Sequence, residues 1–212
     1  MENNNETKSN FSEVFVGENG KMGVKLANGQ VLVPALYDDI AYTYSDFIAS
    51  THPYVAIKDG KFGLLRPDGK GTEITPFVYD SIIIPNSESF LNHFLYKKDG
   101  SEQFGFLSLS GREVTPCIVD SFSSNGQAIY YRSGEHEGLW HTAIGVLLEP
   151  IYDKIEFVDD DEPILFTLNG EKGYVKEEDH SFIPQSLENT MDPDDWHDLL
   201  LECIFDQYDD FD

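Results

Sequence analysis

The sequence DGKFGLLRPDGK, residues 59–70, contains two Asp-Gly pairs that stand nine residues apart. Between the pairs lies a short run with three apolar residues, Phe62, Leu64 and Leu65. Asp-Gly pairs beside strand-forming residues predict β-hairpins, because a type I′ turn needs a positive φ at both central residues. A Thr-Pro pair at 75–76 and the motif Tyr-Asp-Ser-Ile at 79–82 follow.

The same order of motifs recurs along the chain, so the sequence contains internal repeats. Each repeat has an inner glycine, and these are Gly23, Gly63, Gly105, Gly138 and Gly173, with spacings of 40, 42, 33 and 35 residues. Each repeat also has a proline, and these are Pro34, Pro76, Pro116, Pro150 and Pro184, with spacings of 42, 40, 34 and 34 residues. Two independent markers that keep nearly the same register predict five tandem repeats.

This pattern resembles the WG-repeat family of bacterial β-repeat proteins. The signature of that family combines an aromatic-glycine pair, a glycine turn, a Val/Ile-Pro pair and a Tyr-Asp-x-Ile motif. The aromatic-glycine pair is present here as Phe62-Gly63 and Phe104-Gly105, whereas Met22, Glu137 and Lys172 precede the other inner glycines. The resemblance covers roughly residues 14–186. It implies a β-repeat fold and no shared active site.

The expected fold class is all-β, a tandem β-hairpin repeat array of about five repeats with a short C-terminal α-helix. Each repeat is predicted to form about four short strands, which in the second repeat are 54–58, 62–65, 72–75 and 79–84. Density of Tyr, Phe, Val and Ile between regular turns favours these strands. The inner glycine is expected to mark a close backbone approach or a bulge.

Near the C-terminus, Asp192 and Pro193 predict the start of a helix over residues 192–208, since Asp suits the N-cap and Pro the first helical position. Apolar residues follow at helical spacing on one face. They are Trp196, Leu199, Leu200, Cys203, Ile204, Phe205 and Tyr208. We expect this helix to pack on the last repeat and cap its apolar edge.

Three domains are predicted: a disordered tail over residues 1–10, a WG-like β-repeat domain over 11–186, and an acidic helix and tail over 187–212. The N-terminal residues lack the pattern of a signal peptide, and no run approaches the roughly 18 apolar residues of a membrane span. Cys117 and Cys203 are far apart in sequence, which favours reduced thiols in the cytoplasm. We therefore expect a cytoplasmic protein that does not engage a membrane.

The charge of the chain is strongly negative, at −25 from 39 acids and 14 bases. Such a charge repels nucleic acid and favours a basic protein partner. The acids cluster at 159–162 and after Lys176, where 13 acids and no Lys or Arg occur. The predicted partner-binding residues are Asp159, Asp160, Asp161, Glu162, Asp194, Asp195, Asp198 and Glu202.

Three other groups of residues are candidate ion or metal sites. Asp38, Asp80, Asp120 and Asp153 recur once per repeat. Such aspartates either form a ladder that binds ions or accept local backbone hydrogen bonds, and the second interpretation is favoured here. Glu135, His136 and His141 make only a minimal metal set, so surface histidines are the expected alternative. The carboxylates at 159–162 lack the ligand spacing of an EF-hand. No metal, cofactor or catalytic residue is predicted.

The function expected from the sequence is a non-catalytic protein-binding repeat module with an acidic surface. Its narrower form is an immunity protein that neutralises a basic bacterial toxin. Two alternatives stay open at this point. One is a hydrolase that uses carboxylates on an acidic face, and the other is a structural repeat protein.

Overall fold

The computed structural model describes residues 12–41, 49–84, 93–125, 128–158 and 162–205. These residues form five antiparallel sheets. The first sheet contains β1 (Glu13–Val16), β2 (Met22–Lys25) and β3 (Val31–Tyr37). The second contains β4 (Asp39–Ile40), β5 (Tyr54–Lys58) and β6 (Lys61–Leu65). The third contains β7 (Ser81–Ile83), β8 (His93–Lys97) and β9 (Gly105–Ser108).

The last two sheets have four strands each. The fourth contains β10 (Ser121–Asn125), β11 (Ala128–Ser133), β12 (His136–His141) and β13 (Val146–Tyr152). The fifth contains β14 (Lys154–Glu156), β15 (Leu165–Leu168), β16 (Glu171–Val175) and β17 (Phe182–Pro184). Strands that are consecutive in a sheet are also consecutive in sequence. The predicted all-β repeat fold is confirmed.

The chain divides into two compact units, which we call the N-terminal unit (Met1–Cys117) and the C-terminal unit (Ile118–Asp212). The first three sheets belong to the N-terminal unit and the last two to the C-terminal unit. The predicted tail at 1–10 lies outside the described residues. The domain limits predicted after residues 10 and 186 stay predictions.

The hairpin turns follow the expected chemistry at the first Asp-Gly pair and depart from it at the second. Asp59 and Gly60 have φ values of 53° and 75°, as a type I′ turn requires. In the second pair only Gly69 has a positive φ, of 73°, and Asp68 instead accepts a 2.9 Å hydrogen bond from the Lys70 amide. Asp68 therefore caps its own turn through its side chain.

The strand predicted at 72–75 is wrong, because only Glu73 makes a β-bridge there, to Leu65. The reason is a side-chain hydrogen bond. The Thr75 hydroxyl, on a residue only 2% exposed, accepts from the Leu64 amide at 2.9 Å, in place of a ladder partner. Thr115 does the same for the Phe106 amide at 2.9 Å, so the second and third repeats share this contact.

The inner glycines lie at close approaches, as predicted. A Cβ on Gly173 would stand 2.2 Å from the Ile183 carbonyl oxygen, and one on Gly23 would stand 2.5 Å from that of Val33. At Gly138 the space is filled by the ring of Tyr131, at 2.4 Å. The pairing register also shifts beside Gly23 and Gly138. Only glycine, which has no Cβ, allows the neighbouring strand or side chain to approach the backbone this closely.

The C-terminal helix, α1 (Pro193–Leu200), starts where the sequence predicts and ends earlier. The Asp192 side chain accepts from the Asp194 amide at 3.0 Å, and Pro193 takes the first helical position. The predicted end at residue 208 is wrong, because the chain leaves the helix after Leu200 and the next segment forms β-bridges, Lys176 with Cys203 and Pro163 with Phe205. A 3-10 helix, Gln185–Thr190, precedes α1. Tyr208 lies outside the described residues.

The helix packs against the last repeat, as predicted. Trp196 is 8% exposed and meets the ring of Tyr174 edge-on, with 6.1 Å between ring centroids. Leu199 and Leu200 are half-buried beside it. Ile204 is fully buried, but it enters the core between the fourth and fifth sheets instead of the helix contact. None of the helices in the described ranges has the length and apolar character needed to cross a bilayer.

Candidate functional site

The negative charge of the protein is concentrated in the C-terminal unit. Residues 118–212 carry 24 of the 39 acids and four of the 14 bases, so their formal charge is −20. Residues 1–117 carry 15 acids and ten bases, and their formal charge is −5. The surplus of carboxylates is therefore a property of one unit.

All four bases of the C-terminal unit are held by the unit's own carboxylates. Arg132 lies 3.4 Å from Glu137, and Lys172 lies 3.8 Å from Glu156. Lys154 also pairs with Glu156, and Lys176 pairs with Glu202. The four bases of this unit are thus engaged by three of its glutamates, and the unit keeps a large surplus of carboxylates.

The predicted partner-binding acids fall into three groups. Asp194, Asp195 and Asp198 are exposed on α1, while Trp196 on the same helix is buried. Glu162 is exposed, but Asp159, Asp160 and Asp161 lie outside the described residues. Glu202 is exposed and is engaged in the ion pair with Lys176, which the sequence did not indicate.

Glu162 and one further carboxylate, Glu188, act electrostatically on Tyr174, the residue that α1 contacts. Burial, and after it the charges of Glu162 and Glu188, raise the pKa of the Tyr174 hydroxyl. Tyr174 contacts Trp196 of α1, so both glutamates act on the helix-docking region. We call the exposed set Glu162, Glu188, Asp194, Asp195 and Asp198 the acidic face. The contribution of Glu188 was missed because the acid stands alone in its sequence segment.

The repeated aspartates accept backbone hydrogen bonds, as favoured, but the expectation that these bonds are local is wrong. One oxygen of each carboxylate accepts from a turn amide at 2.7–2.8 Å; the pairs are Asp38 with Asp59, Asp80 with Gly100, Asp120 with Gly134, and Asp153 with Gly170. The donor is not local, because it lies 14 to 21 residues further along, in the turn of the following hairpin. Each aspartate therefore ties one repeat to the next turn.

Acid should weaken this tie, and Asp80 offers a test. Hydrogen bonds from Lys61 and from the Gly100 amide lower the pKa of the Asp80 carboxyl. A lowered pKa adds stability above the ordinary value of about 4, and this stability is lost as the pH falls through the folded-state pKa. We expect Asp80→Asn to melt a few degrees below wild type at pH 7, and the gap to close below pH ~4. Thermal unfolding followed by circular dichroism across pH measures this; Asp198→Asn should show no such gap.

The histidine set proposed for a metal is not brought together. His136 and His141 are the first and last residues of β12, and a strand rises about 3.3 Å per residue, so they are separated by most of its length. Within the described residues, no group of three His, Cys, Asp or Glu side chains is arranged to hold a metal. His141 and His93 are each 3% exposed, so the expectation of surface histidines is wrong for both. Burial lowers the pKa of His93 to about 4.

A polar cluster around Glu113 in the N-terminal unit was not predicted. The Tyr79 and Tyr96 hydroxyls donate to Glu113 at 3.1 and 3.2 Å, and the Lys98 ammonium lies 3.0 Å away. Burial alone raises the pKa of Glu113, but the hydrogen bonds from Lys98 and the tyrosines outweigh it and the pKa is lowered. Lys58 and Glu73 form the matching pair, at 3.9 Å, in the preceding repeat. The lowered pKa keeps the Glu113 carboxyl ionised, whereas a carboxyl that acts as a general acid needs a raised pKa.

An open cleft of about 560 Å³ lies in the C-terminal unit, between the fourth sheet and β14. Residues of β10, β11 and β12 form one side, and Ile155 and Phe157 form the other. Glu137, one of the lining residues, accepts hydrogen bonds from Arg132 at 3.4 Å and from the Ile155 amide at 2.7 Å. The cleft was not predicted, because its residues come from four strands and carry no common motif.

Comparison with protein-family models, with curated proteins and with solved structures finds no match to this chain. The resemblance to the WG-repeat family therefore stays a prediction that rests on the repeat motifs.

Proposed function

We propose that this protein is a non-catalytic binding module whose C-terminal unit captures a basic protein. The observation that carries this proposal is the formal charge of −20 on a unit whose four bases are all engaged in ion pairs. The surplus of carboxylates over bases produces a negative potential that attracts and orients a cationic protein surface.

The acidic face is the described part of the binding surface. Asp194, Asp195 and Asp198 project from a helix that is anchored by Trp196, so the three charges have fixed positions. Fixed charges lose little conformational freedom on binding, which favours affinity. We include Asp159, Asp160 and Asp161 in the proposed binding surface because of their sequence alone.

In its narrower form the proposal is that the protein is an immunity protein for a basic bacterial toxin. A toxin such as a nuclease carries a cationic active site, and an acidic protein that covers it stoichiometrically prevents substrate binding. We place the protein in the cytoplasm, and its two free thiols, at Cys117 and Cys203, support this location.

The test starts with a pull-down from the native host, followed by association kinetics with the captured partner. We expect the association rate to fall several-fold from low salt to about 150 mM, where the Debye length is about 8 Å. Replacing Asp194, Asp195 and Asp198 together with asparagine should slow association more than it speeds dissociation. Neutralising Asp159, Asp160, Asp161 and Glu162 together should act in the same way.

The matched control removes the same number of charges from exposed sites of the N-terminal unit, as Glu18→Gln, Asp39→Asn and Glu102→Gln. This variant should associate at close to the wild-type rate. An association rate that is indifferent to salt and to both acidic groups would contradict the proposal, and the charge would then serve solubility.

A further inference from the structure

We propose that the outer edge of β1 binds residues 208–211 of a second copy of the chain. The reason is that four of the five sheets contain a strand which the first sheet lacks among the described residues. The proposal concerns the first sheet of the N-terminal unit, so it is independent of the acidic face and of the capture of a basic protein.

The lacking strand is one that each repeat supplies to the next. We call the Tyr-Asp-x-Ile sequence of a repeat, which reads Val-Asp-Ser-Phe in the third, the aspartate motif. The residue after its aspartate begins a strand, which we call the added strand, on the hairpin of the following repeat. These pairs are β4 with β5, β7 with β8, β10 with β11, and β14 with β15. The hairpin of β1 and β2 has no added strand among the described residues.

The added strands share one register. In each, an apolar residue stands opposite the residue that pairs with the inner glycine of the hairpin. These pairs are Ile40 with Ala56, Ile82 with Tyr96, Phe122 with Tyr131, and Ile155 with Phe166. In the first hairpin the residue that pairs with the inner glycine, Gly23, is Phe15. Phe15 therefore marks the position where an added strand would place its apolar residue.

The first sheet has the exposure expected of a hairpin without its added strand. Phe15 is only half-buried, and its neighbours Val14 and Val16 are 41% and 63% exposed. The residues that correspond to Phe15 in the other four hairpins are at most 2% exposed; they are Ala56, Tyr96, Tyr131 and Phe166. An edge strand with exposed apolar residues can pair with an extended segment through its backbone groups.

The sequence contains a fifth aspartate motif, Tyr-Asp-Asp-Phe at 208–211. It matches Tyr-Asp-Asp-Ile at 37–40, with Phe at the last position as in the third repeat. The first four motifs begin two or three residues after the proline of their repeat, whereas the fifth begins 24 residues after Pro184, beyond α1. Residues 208–211 lie outside the described residues, so their pairing with β1 is inferred from the motif.

The shared register defines the contact. Phe211 takes the position opposite Phe15, which places Asp210 opposite Val16. The position of Asp210 is polar in each added strand of the structure, where it is occupied by Asp39, Ser81, Ser121 and Lys154. Backbone hydrogen bonds between the strands supply affinity, and the contact between the two phenylalanine rings supplies specificity.

A second copy suits β1 because of chain length and charge. Tyr208 follows Phe205 by three residues, which span only about 10 Å when extended, and Phe205 bridges Pro163 of the C-terminal unit. A second copy can carry this segment to β1 without a longer connection. Residues 13–37 carry two acids and two bases, so the first sheet has no net charge that would repel the acidic segment. The charge of −25 on each copy opposes association at long range, and salt screens it.

The test measures self-association of the full chain by sedimentation velocity over a range of concentrations, at low salt and at about 500 mM NaCl. We expect oligomers that grow with concentration, because a contact between two different surfaces leaves one of each free. Association should strengthen as salt rises, since screening weakens the repulsion between copies. Phe211→Asp should weaken association about tenfold or more, because it removes the apolar side chain opposite Phe15.

Val16 tests the register through charge. Val16→Asp places a carboxylate opposite Asp210 and should weaken association about threefold, whereas Val16→Lys should strengthen it about threefold. The same two substitutions at Val31 are the matched control. Val31 is 40% exposed and lies on β3, at the other edge of the same sheet, so both changes should leave association within about twofold.

A chain that stays monomeric at high salt would overturn this proposal, and so would an association that Phe211→Asp leaves unchanged. Association that weakens as salt rises would contradict it too, because capture of a basic surface weakens with salt and pairing at β1 does not. A wild type that stays monomeric while Phe211→Asp lowers its melting temperature would give residues 208–211 a role within their own copy, and the proposal would fall. The capture of a basic protein is tested separately, through the acidic face.

Discussion

Replacing Gly173 with alanine is expected to lower the free energy of unfolding of the C-terminal unit by about 3 kcal/mol. The added Cβ would stand 2.2 Å from the Ile183 carbonyl oxygen and 3.0 Å from its carbonyl carbon. These are backbone atoms of the paired strand β17, so relief requires the strands to separate. Urea unfolding followed by far-UV circular dichroism gives the change.

Gly63→Ala is the matched control, because Gly63 occupies the same position in the second repeat. The three atoms nearest to its new Cβ all belong to the ring of Phe77, at 3.0–3.1 Å, and a side chain can move where a backbone cannot. We expect this variant to lose about 1 kcal/mol or less. A loss at Gly173 as small as the one expected at Gly63 would contradict this prediction, because it would mean that β16 and β17 adapt to the added Cβ without strain.

The features that sequence could predict are those fixed within a few residues. The Asp59-Gly60 turn has the positive φ values that its residues favour, and Asp192 and Pro193 start α1 where capping chemistry places them. In each repeat a proline follows the inner glycine after about eleven to thirteen residues. This constant spacing marks the position where the backbone or a side chain approaches the glycine closely. The chemistry of the turns and the regular spacing of the repeats were therefore enough to predict the fold class.

The features that sequence could not predict depend on partners far along the chain. The end of α1 is set by backbone hydrogen bonds of Ile204, which donates to Val175 at 3.0 Å and accepts from Ile164 at 2.8 Å. Apolar spacing alone continued the helix through these residues, because Cys203 and Ile204 also fit a helical face. Pairing of the segment with the backbone beside β16 outweighed the helical preference of these residues, since buried backbone groups need hydrogen-bond partners.

The same distinction applies to the candidate site. Composition alone indicated an acidic binding surface, and the exposure of Asp194, Asp195 and Asp198 agrees with it. Composition could not show that Glu202 is engaged with Lys176, 26 residues away. Nor could it indicate the cleft, because Phe122 on β10 and Phe157, which follows β14, line one surface only when the two sheets pack.

Replacing Ile204 with aspartate is expected to cost about 4 kcal/mol or more and to unfold much of the C-terminal unit. Ile204 has no exposed surface and packs in the core between the fourth and fifth sheets, near Phe166 and Val175. A carboxylate there has no cation to pair with among the core residues, so its desolvation is uncompensated. The only two tryptophans, Trp140 and Trp196, lie in this unit, and their fluorescence in urea reports its unfolding.

Leu201→Asp is the control, three residues earlier at a side chain 62% exposed, and it should change the free energy of unfolding by less than about 0.5 kcal/mol. Leu200→Asp should fall between the two, because Leu200 is half-buried against the last repeat. This order follows burial: a helical face through residue 204 would instead place Leu200 and Ile204, four residues apart, in the same environment and give them similar losses. Similar losses at Leu200 and Ile204 would therefore contradict the insertion of residues 203–205 beside β16, and with it the role of the C-terminal segment as part of the core.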